Sequence, residues 1–197
     1  MNFLMWGIVG FLFLLEICII VYVVEYTCCV YLKKQVPFVA CALCHKRAVV
    51  AQIKRFYPNA KNVVEVGSGL GGLARYVARH TNANVHALEN MPVCVFMSKI
   101  FDRVWPTKSK TIWCDAFDWL AKKENKYDVA IAYLGPELTE KLVEHKKNIK
   151  VLISLNFEIP ELKPVRVVEL KGFVLYGLKK YSHKLYVYEF GGRRVKK

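Results

Sequence analysis

The sequence predicts an α/β protein. It reads as a seven-stranded, mostly parallel sheet that ends in an antiparallel hairpin, with one transmembrane helix ahead of it. Three observations carry this reading. The N-terminal stretch is almost purely apolar. From residue 61 onward, short apolar runs alternate with helical patterns. The chain closes on two long β-rich runs.

The N-terminal stretch comes first. Phe3 to Leu32 (FLMWGIVGFLFLLEICIIVYVVEYTCCVYL) holds only two charges, Glu16 and Glu25. A helix needs about 20 apolar residues to cross a bilayer, and Phe3–Val24 supplies them. No Lys or Arg precedes the run and no small-residue cleavage site follows it, so a retained anchor is expected rather than a cleaved signal. Glu16 costs about 2.5–3.5 kcal/mol at mid-bilayer, which its apolar neighbours outweigh. Lys33, Lys34, Lys46, Arg47, Lys54 and Arg55 all follow the span. Positive residues stay inside, so the C-terminal domain is expected on the cytosolic or equivalent side.

The whole chain has 197 residues, with 30 Lys and Arg against 16 Asp and Glu, a formal charge of +14. That excess calls for a polyanionic neighbour. With an anchor present, an anionic membrane surface is the expected partner. A nucleic-acid partner is not expected, because the basic residues are not interleaved with aromatic stacking platforms.

Seven cysteines, an odd number, on a cytosol-facing chain do not suggest a disulfide framework. Cys41-Ala-Leu-Cys44-His45 spells the C-x-x-C-H of haem attachment, but the orientation is wrong for it. No second ligand pair is spaced for zinc, so no metal is expected. A helix over Cys41–Phe56 is expected to lead from the anchor to the first strand.

The alternating pattern then runs in order. Strands are expected at Lys61–Val66, Asn84–Leu88, Thr111–Cys114, Tyr127–Leu134 and Ile149–Ser154. Helices are expected at Gly72–His80, Pro92–Phe101, Ala116–Lys123 and Glu137–Lys146. Arg166–Leu178 and Lys184–Phe190 form the closing hairpin. Domain boundaries follow: 1–32 anchor, 33–60 basic juxtamembrane segment and lead-in helix, 61–197 globular domain.

The first strand runs into VVEVGSGLGGLARY. Strand, glycine loop and helix in that order make a Rossmann-like nucleotide unit. Gly67, Gly69 and Gly72 fit a dinucleotide fingerprint. Glu65, Gly67, Gly69 and Gly71 fit an S-adenosylmethionine (SAM) loop. Glu89 ends the second strand, where a carboxylate can accept ribose hydroxyls. Three features favour SAM. Glu65 would repel a pyrophosphate but suits a cationic cofactor. Asp115 ends the third strand, placed for an adenine amino group or as a helix N-cap. The closing hairpin leaves no residues for a dehydrogenase's substrate domain.

Residues 61–190 resemble the class I, seven-stranded SAM-dependent methyltransferases. The resemblance implies a cofactor site of Glu65, Gly67, Ser68, Gly69, Gly71, Glu89, Asn90, Asp115 and Ala116. The anchor, Val-Pro-Phe-Val at 36–39 and Leu-Gly-Pro-Glu-Leu after the fourth strand resemble a narrower group. These are the membrane-anchored protein-lysine methyltransferases related to the ATP synthase c-subunit enzyme. Leu70 stands where that group often carries an acid. The resemblance implies a single-pass protein of the bacterial or mitochondrial inner membrane, acting on a membrane-associated protein. A lipid or quinone acceptor and a non-catalytic SAM-binding module stay open. On the acceptor side, Tyr133 and Glu137 are the candidates, with Asn156 and Glu158 behind them. Tyr-Leu-Gly-Pro at 133–136 departs from the Asn/Asp-Pro-Pro-Tyr of nucleobase amine methylation.

Overall fold

A computed structural model describes residues 3–27, 39–170 and 184–190. The chain divides into two compact units, Met1–Phe38 and Val39–Lys197. The first holds α1 (Phe3–Thr27). Within it, Met5–Val24 is long and apolar enough to cross a membrane, and none of that window is buried inside the protein. At 1.5 Å per residue this covers about 30 Å, the thickness of a hydrocarbon core.

The second unit is built on one seven-stranded sheet in the order β3-β2-β1-β4-β5-β7-β6. Its elements are α2 (Leu43–Phe56), β1 (Asn62–Val66), α3 (Gly72–His80), β2 (Asn84–Glu89), α4 (Pro92–Val104), β3 (Ser109–Trp113) and α5 (Ala116–Ala121). Then follow β4 (Tyr127–Ala132), α6 (Pro136–Lys141), a 3-10 turn (Leu142–His145), β5 (Ile149–Leu155), β6 (Arg166–Glu169) and β7 (Lys184–Glu189). The first five strands are parallel, and β7 runs antiparallel to both β5 and β6.

The register explains the buried runs. Val85, Val63, Val129 and Val151 pair across β2, β1, β4 and β5 in one row, and all four are buried. Both sheet faces are covered, so consecutive residues are apolar rather than alternating. Val63 packs toward α2 and α3 with Ile53, Leu73 and Val77. Val64 and Val66 pack on the other face with Leu120, Leu142 and Ile159. Arg75 on α3 reaches Ser98 on α4, so α2, α3 and α4 share one layer.

Several boundaries differ from expectation, each for a local reason. α2 starts at Leu43, which leaves Cys41 outside the helix. α4 runs on to Val104, because Asp102 is held in place by Arg75 and Thr111. α5 stops at Ala121, where the side chains of Asn125 and Asn148 take its last carbonyls. Pro136 takes the first position of α6, and the expected single helix tightens into a 3-10 turn after Lys141. β4 ends at Ala132, which releases Tyr133 and Leu134 at the carboxyl end of the central strands. The expected continuation of the hairpin arm past Leu170 lies outside the described residues.

Candidate functional site

β1 turns into α3 through three glycines in the left-handed region: Gly67 at φ +68°, Gly69 at +54° and Gly71 at +68°. Two of them also need the absence of a side chain. A Cβ on Gly67 would come within 2.5 Å of Leu134 Cδ2. A Cβ on Gly71 would come within 2.5 Å of Ser98 Oγ and 2.8 Å of Arg75 Nη1. The loop is closed by Gly71 N–H donating to Ser68 O at 2.9 Å and Ser68 N–H donating to Leu88 O at 2.9 Å.

Glu65 sits on β1 and is 5% exposed. Gly71 caps α3 without a side chain, so Glu65 does the capping from the strand: Ala74 N–H donates to its Oε2 at 2.7 Å. Burial pushes the Glu65 carboxyl up to about 8; the Ala74 bond and Lys46 oppose this, and Glu89 adds to it. Glu65 is therefore a buried acid poised to ionise when a cation arrives.

Glu89 ends β2. Gly69 N–H donates to its Oε2 at 2.6 Å, and Asn90 and Met91 N–H donate to its Oε1 at 2.9 Å. The carboxylate thus ties the glycine loop to the start of α4. Oε1 is filled by its two donors, and Oε2 keeps a further lone pair for a ligand. Asp115 is exposed and caps α5, accepting from Phe117 N–H at 2.8 Å and Asp118 N–H at 3.2 Å. Ala116 is the first residue of that helix. Trp113, 63% exposed, donates from Nε1 to Asn90 O at 3.2 Å. Its ring thus lies between the Glu89 and Asp115 ends, a position sequence reasoning passed over.

One polar atom in the cradle stands unanswered. Ser68 Oγ is buried and has no hydrogen-bond partner among the described residues. A buried orphan hydroxyl beside a glycine loop marks a place for a polar ligand group. A SAM molecule fits this donor set: acceptors at Glu89, an orphan hydroxyl at Ser68 and a buried acid at Glu65.

The residues expected on the acceptor side lie at the carboxyl ends of β1, β4 and β5, where the strand order reverses and α/β sheets bind ligands. Tyr133 follows β4 and stacks on His45 of α2, with ring centroids 5.5 Å apart. Asn156 follows β5 at φ 69°, the sole non-glycine with positive φ among the described residues. Its Nδ2 donates to Tyr133 OH at 3.3 Å, and its Oδ1 lies 3.3 Å from His45 Nε2. With Oδ1 accepting, His45 carries its proton on Nε2, and Nδ1 faces the Cys44 thiol at 3.6 Å. Burial, then the nearby Glu65 carboxylate, pushes the Cys41 thiol well up. Burial, then Cys41, raises Tyr133 as well. Both stay neutral.

The Cys41-x-x-Cys44-His45 segment is therefore part of this wall rather than a plain lead-in helix. Its signal was the motif itself, which spacing tied only to metal and haem. Among the described residues no group of three or more His, Cys, Asp and Glu could hold a metal. Glu137 is not brought together with Tyr133: it is exposed in the first turn of α6, where its charge suits a helix N-terminus. Glu158 is likewise exposed. Asp128 accepts from Lys61 and Asn62 N–H and pairs with Lys150, a structural role.

No protein-family model and no curated protein matches the chain. Solved structures do. An RNA methyltransferase from Salinibacter ruber, in complex with S-adenosyl-L-homocysteine, aligns with a TM-score of 0.61 and 17% identity, covering 81% of this chain and 98% of that one. TrmK of M. capricolum with S-adenosyl-homocysteine aligns at 0.54 and 12% identity, over 72% and 67% of the two chains. A SAM-dependent methyltransferase from Geobacter sulfurreducens aligns at 0.51 and 13% identity, over 62% and 65%. With the strand order above, this chain has the fold of the class I SAM-dependent methyltransferases.

Proposed function

We propose that the chain is a membrane-anchored, SAM-dependent methyltransferase that methylates a lysine amine of a membrane-associated protein. The carrying observation is the cradle around Gly67–Gly71, with the orphan hydroxyl of Ser68 at its centre. Bound SAM supplies an electrophilic methyl group on a sulfonium.

The chain's own residues do the rest. With SAM bound, Glu89 would accept from the ribose hydroxyls, and Trp113 and Asp115 would border the adenine, with Asn90 and Ala116 beside them. Glu65 would ionise opposite the positive charge while keeping its hold on Ala74 N–H. Ser68 would answer the amino-acid end. Leu134, packed where Gly67 lacks a side chain, excludes water between the two halves of the site. Tyr133, Asn156 and His45 orient the acceptor. The neutral side chains of Cys41 and Tyr133 offer an ammonium no counter-charge, and a lysine stripped of water gives up its proton readily. In-line displacement then needs positioning more than a strong base.

α1 holds the domain to the bilayer of a bacterial or mitochondrial inner membrane, with the site on the cytosolic or matrix side. Incubating source membranes with methyl-labelled SAM and the full chain tests the reading. Label on a protein lysine supports it. Label confined to the lipid extract would move the acceptor to lipid or quinone.

A further inference from the structure

The α2–α3–α4 layer is asymmetric in both charge and polarity. Its three helices carry eight Lys and Arg against the single Asp102. The opposite layer, α5, α6 and the 3-10 turn, carries Asp118, Glu137, Glu140 and Glu144 against Lys141 alone. On α4 the outer face is apolar at helical spacing: Phe96 is 61% exposed, Ile100 39% and Val104 58%, and Trp105 follows at 52%. Lys99 and Arg103, both exposed, alternate with them on the same face. Beside this stripe a cleft of about 390 Å³ is lined by Lys46, Arg75, Tyr76, Arg79, Phe101 and Trp105. Arg75 is spent on Asp102, which leaves Lys46 and Arg79 as the cations facing the opening.

We propose that this layer docks on an anionic lipid bilayer, with Phe96, Ile100, Val104 and Trp105 entering the headgroup–acyl boundary. Aliphatic and aromatic side chains interleaved with Lys and Arg on one helix face are the pattern of interfacial helices. The cations meet the anionic headgroups, and the cleft admits one between α2, α3 and α4. Phe96 and Trp105 offer a nucleic-acid base a stacking surface, but Ile100 and Val104 between them do not, and this aliphatic centre favours lipid over RNA. The proposal rests on the membrane reading given above and is independent of methyl transfer. It fixes which side of the domain faces the membrane, and so the direction from which a membrane-borne acceptor reaches Tyr133.

The test uses the full chain with lipid nanodiscs containing brominated lipid, rich in either phosphatidylglycerol or phosphatidylcholine. Tryptophan quenching is read for the native chain, Trp105→Phe and Trp6→Phe, so that the losses assign the shares of Trp105 and Trp6. Trp6 reports the anchor and Trp105 reports docking. Docking requires Trp105 quenching in phosphatidylglycerol discs, little in phosphatidylcholine discs, and loss in Lys99→Glu/Arg103→Glu with Trp6 unchanged. Quenching of Trp6 without Trp105 in anionic discs overturns docking while leaving the anchor intact. If Trp6 is unquenched the anchor reading fails, and the Trp105 share still decides docking either way. A response of Trp105 to a single-stranded oligonucleotide without lipid quenching overturns the proposal and assigns the face to nucleic acid. A second copy seated on this face would leave Trp105 unquenched in both lipids and overturn it too.

Discussion

His45 Nε2 and Asn156 Oδ1 stand 3.3 Å apart, although 111 residues separate them in the chain. The contact joins the start of α2 to the end of β5, and Tyr133 completes it by stacking on one residue and bonding the other. Asn156→Gly keeps the left-handed backbone at no steric cost and removes only the amide. The expected outcome is unchanged SAM affinity with methyl transfer slowed by up to about 10²-fold, the cost of a misplaced acceptor. Leaving His45 buried without this partner destabilises by about 1–3 kcal/mol. Calorimetry and initial rates on the same preparation separate the two effects.

Ser68→Ala separates stability from binding. The native hydroxyl is buried without a partner, which costs about 1–3 kcal/mol. The variant is expected to raise the melting temperature of the cofactor-free protein and to weaken SAM binding. Thermal denaturation with and without SAM gives both signs in one experiment. A variant that loses stability in the absence of cofactor would show that Ser68 is satisfied within the protein.

Glu65 makes the protein sensitive to pH. Its carboxyl titrates at about 8 when folded, against 4.5 as the ordinary value. Between those values the folded chain holds a proton that the unfolded chain has released, so stability falls as pH rises from about 5 toward 8. Glu65→Gln still accepts from Ala74 N–H but does not titrate, so its stability is expected to be flatter over that window. SAM is cationic and favours the ionised acid. Its affinity for the native protein should rise over the same range, and for the variant should be weaker and flat. Denaturant titrations and calorimetry between pH 5 and 9 check both.

Gly67 and Leu134 couple the glycine loop to the segment after β4. Gly67→Ala puts a methyl group 2.5 Å from Leu134 Cδ2 at a φ of +68°, and is expected to destabilise by about 1–3 kcal/mol from crowding alone. Adding Leu134→Ala removes the clash but not the backbone strain. The double variant should therefore be less destabilised than the sum of the single variants, a coupling that a double-mutant cycle measures.

The parts of this architecture legible in the sequence are those with strong local signals. Gly72–His80 follows a glycine loop and ends in a basic turn, and the structure places α3 over those same residues. The buried apolar strands expected at Lys61–Val66, Tyr127–Leu134 and Ile149–Ser154 are found at Asn62–Val66, Tyr127–Ala132 and Ile149–Leu155, legible because both faces of the sheet are covered. Helix ends were less legible, since α5 is stopped by Asn125 and Asn148, one of them from beyond β4.

The cluster of His45, Tyr133 and Asn156 was least legible of all. His45, Tyr133 and Asn156 are scattered along the chain and meet only through tertiary contacts. Asn156 betrays itself by its φ, which no local pattern announces. The C-x-x-C-H spelling reads as neither a haem nor a metal site but as a lead-in helix, and nothing in it announces the contacts its residues make with Asn156 and Tyr133.

Titration of the full chain in detergent with SAM and with NAD, beside Gly69→Arg, bears most directly on the cofactor assignment. Gly69 N–H holds Glu89, and an arginine at φ +54° would strain and fill the loop. Binding of SAM but not NAD, lost in a variant that stays folded, is the expected result. A folded native chain that takes up no SAM would contradict the methyltransferase reading.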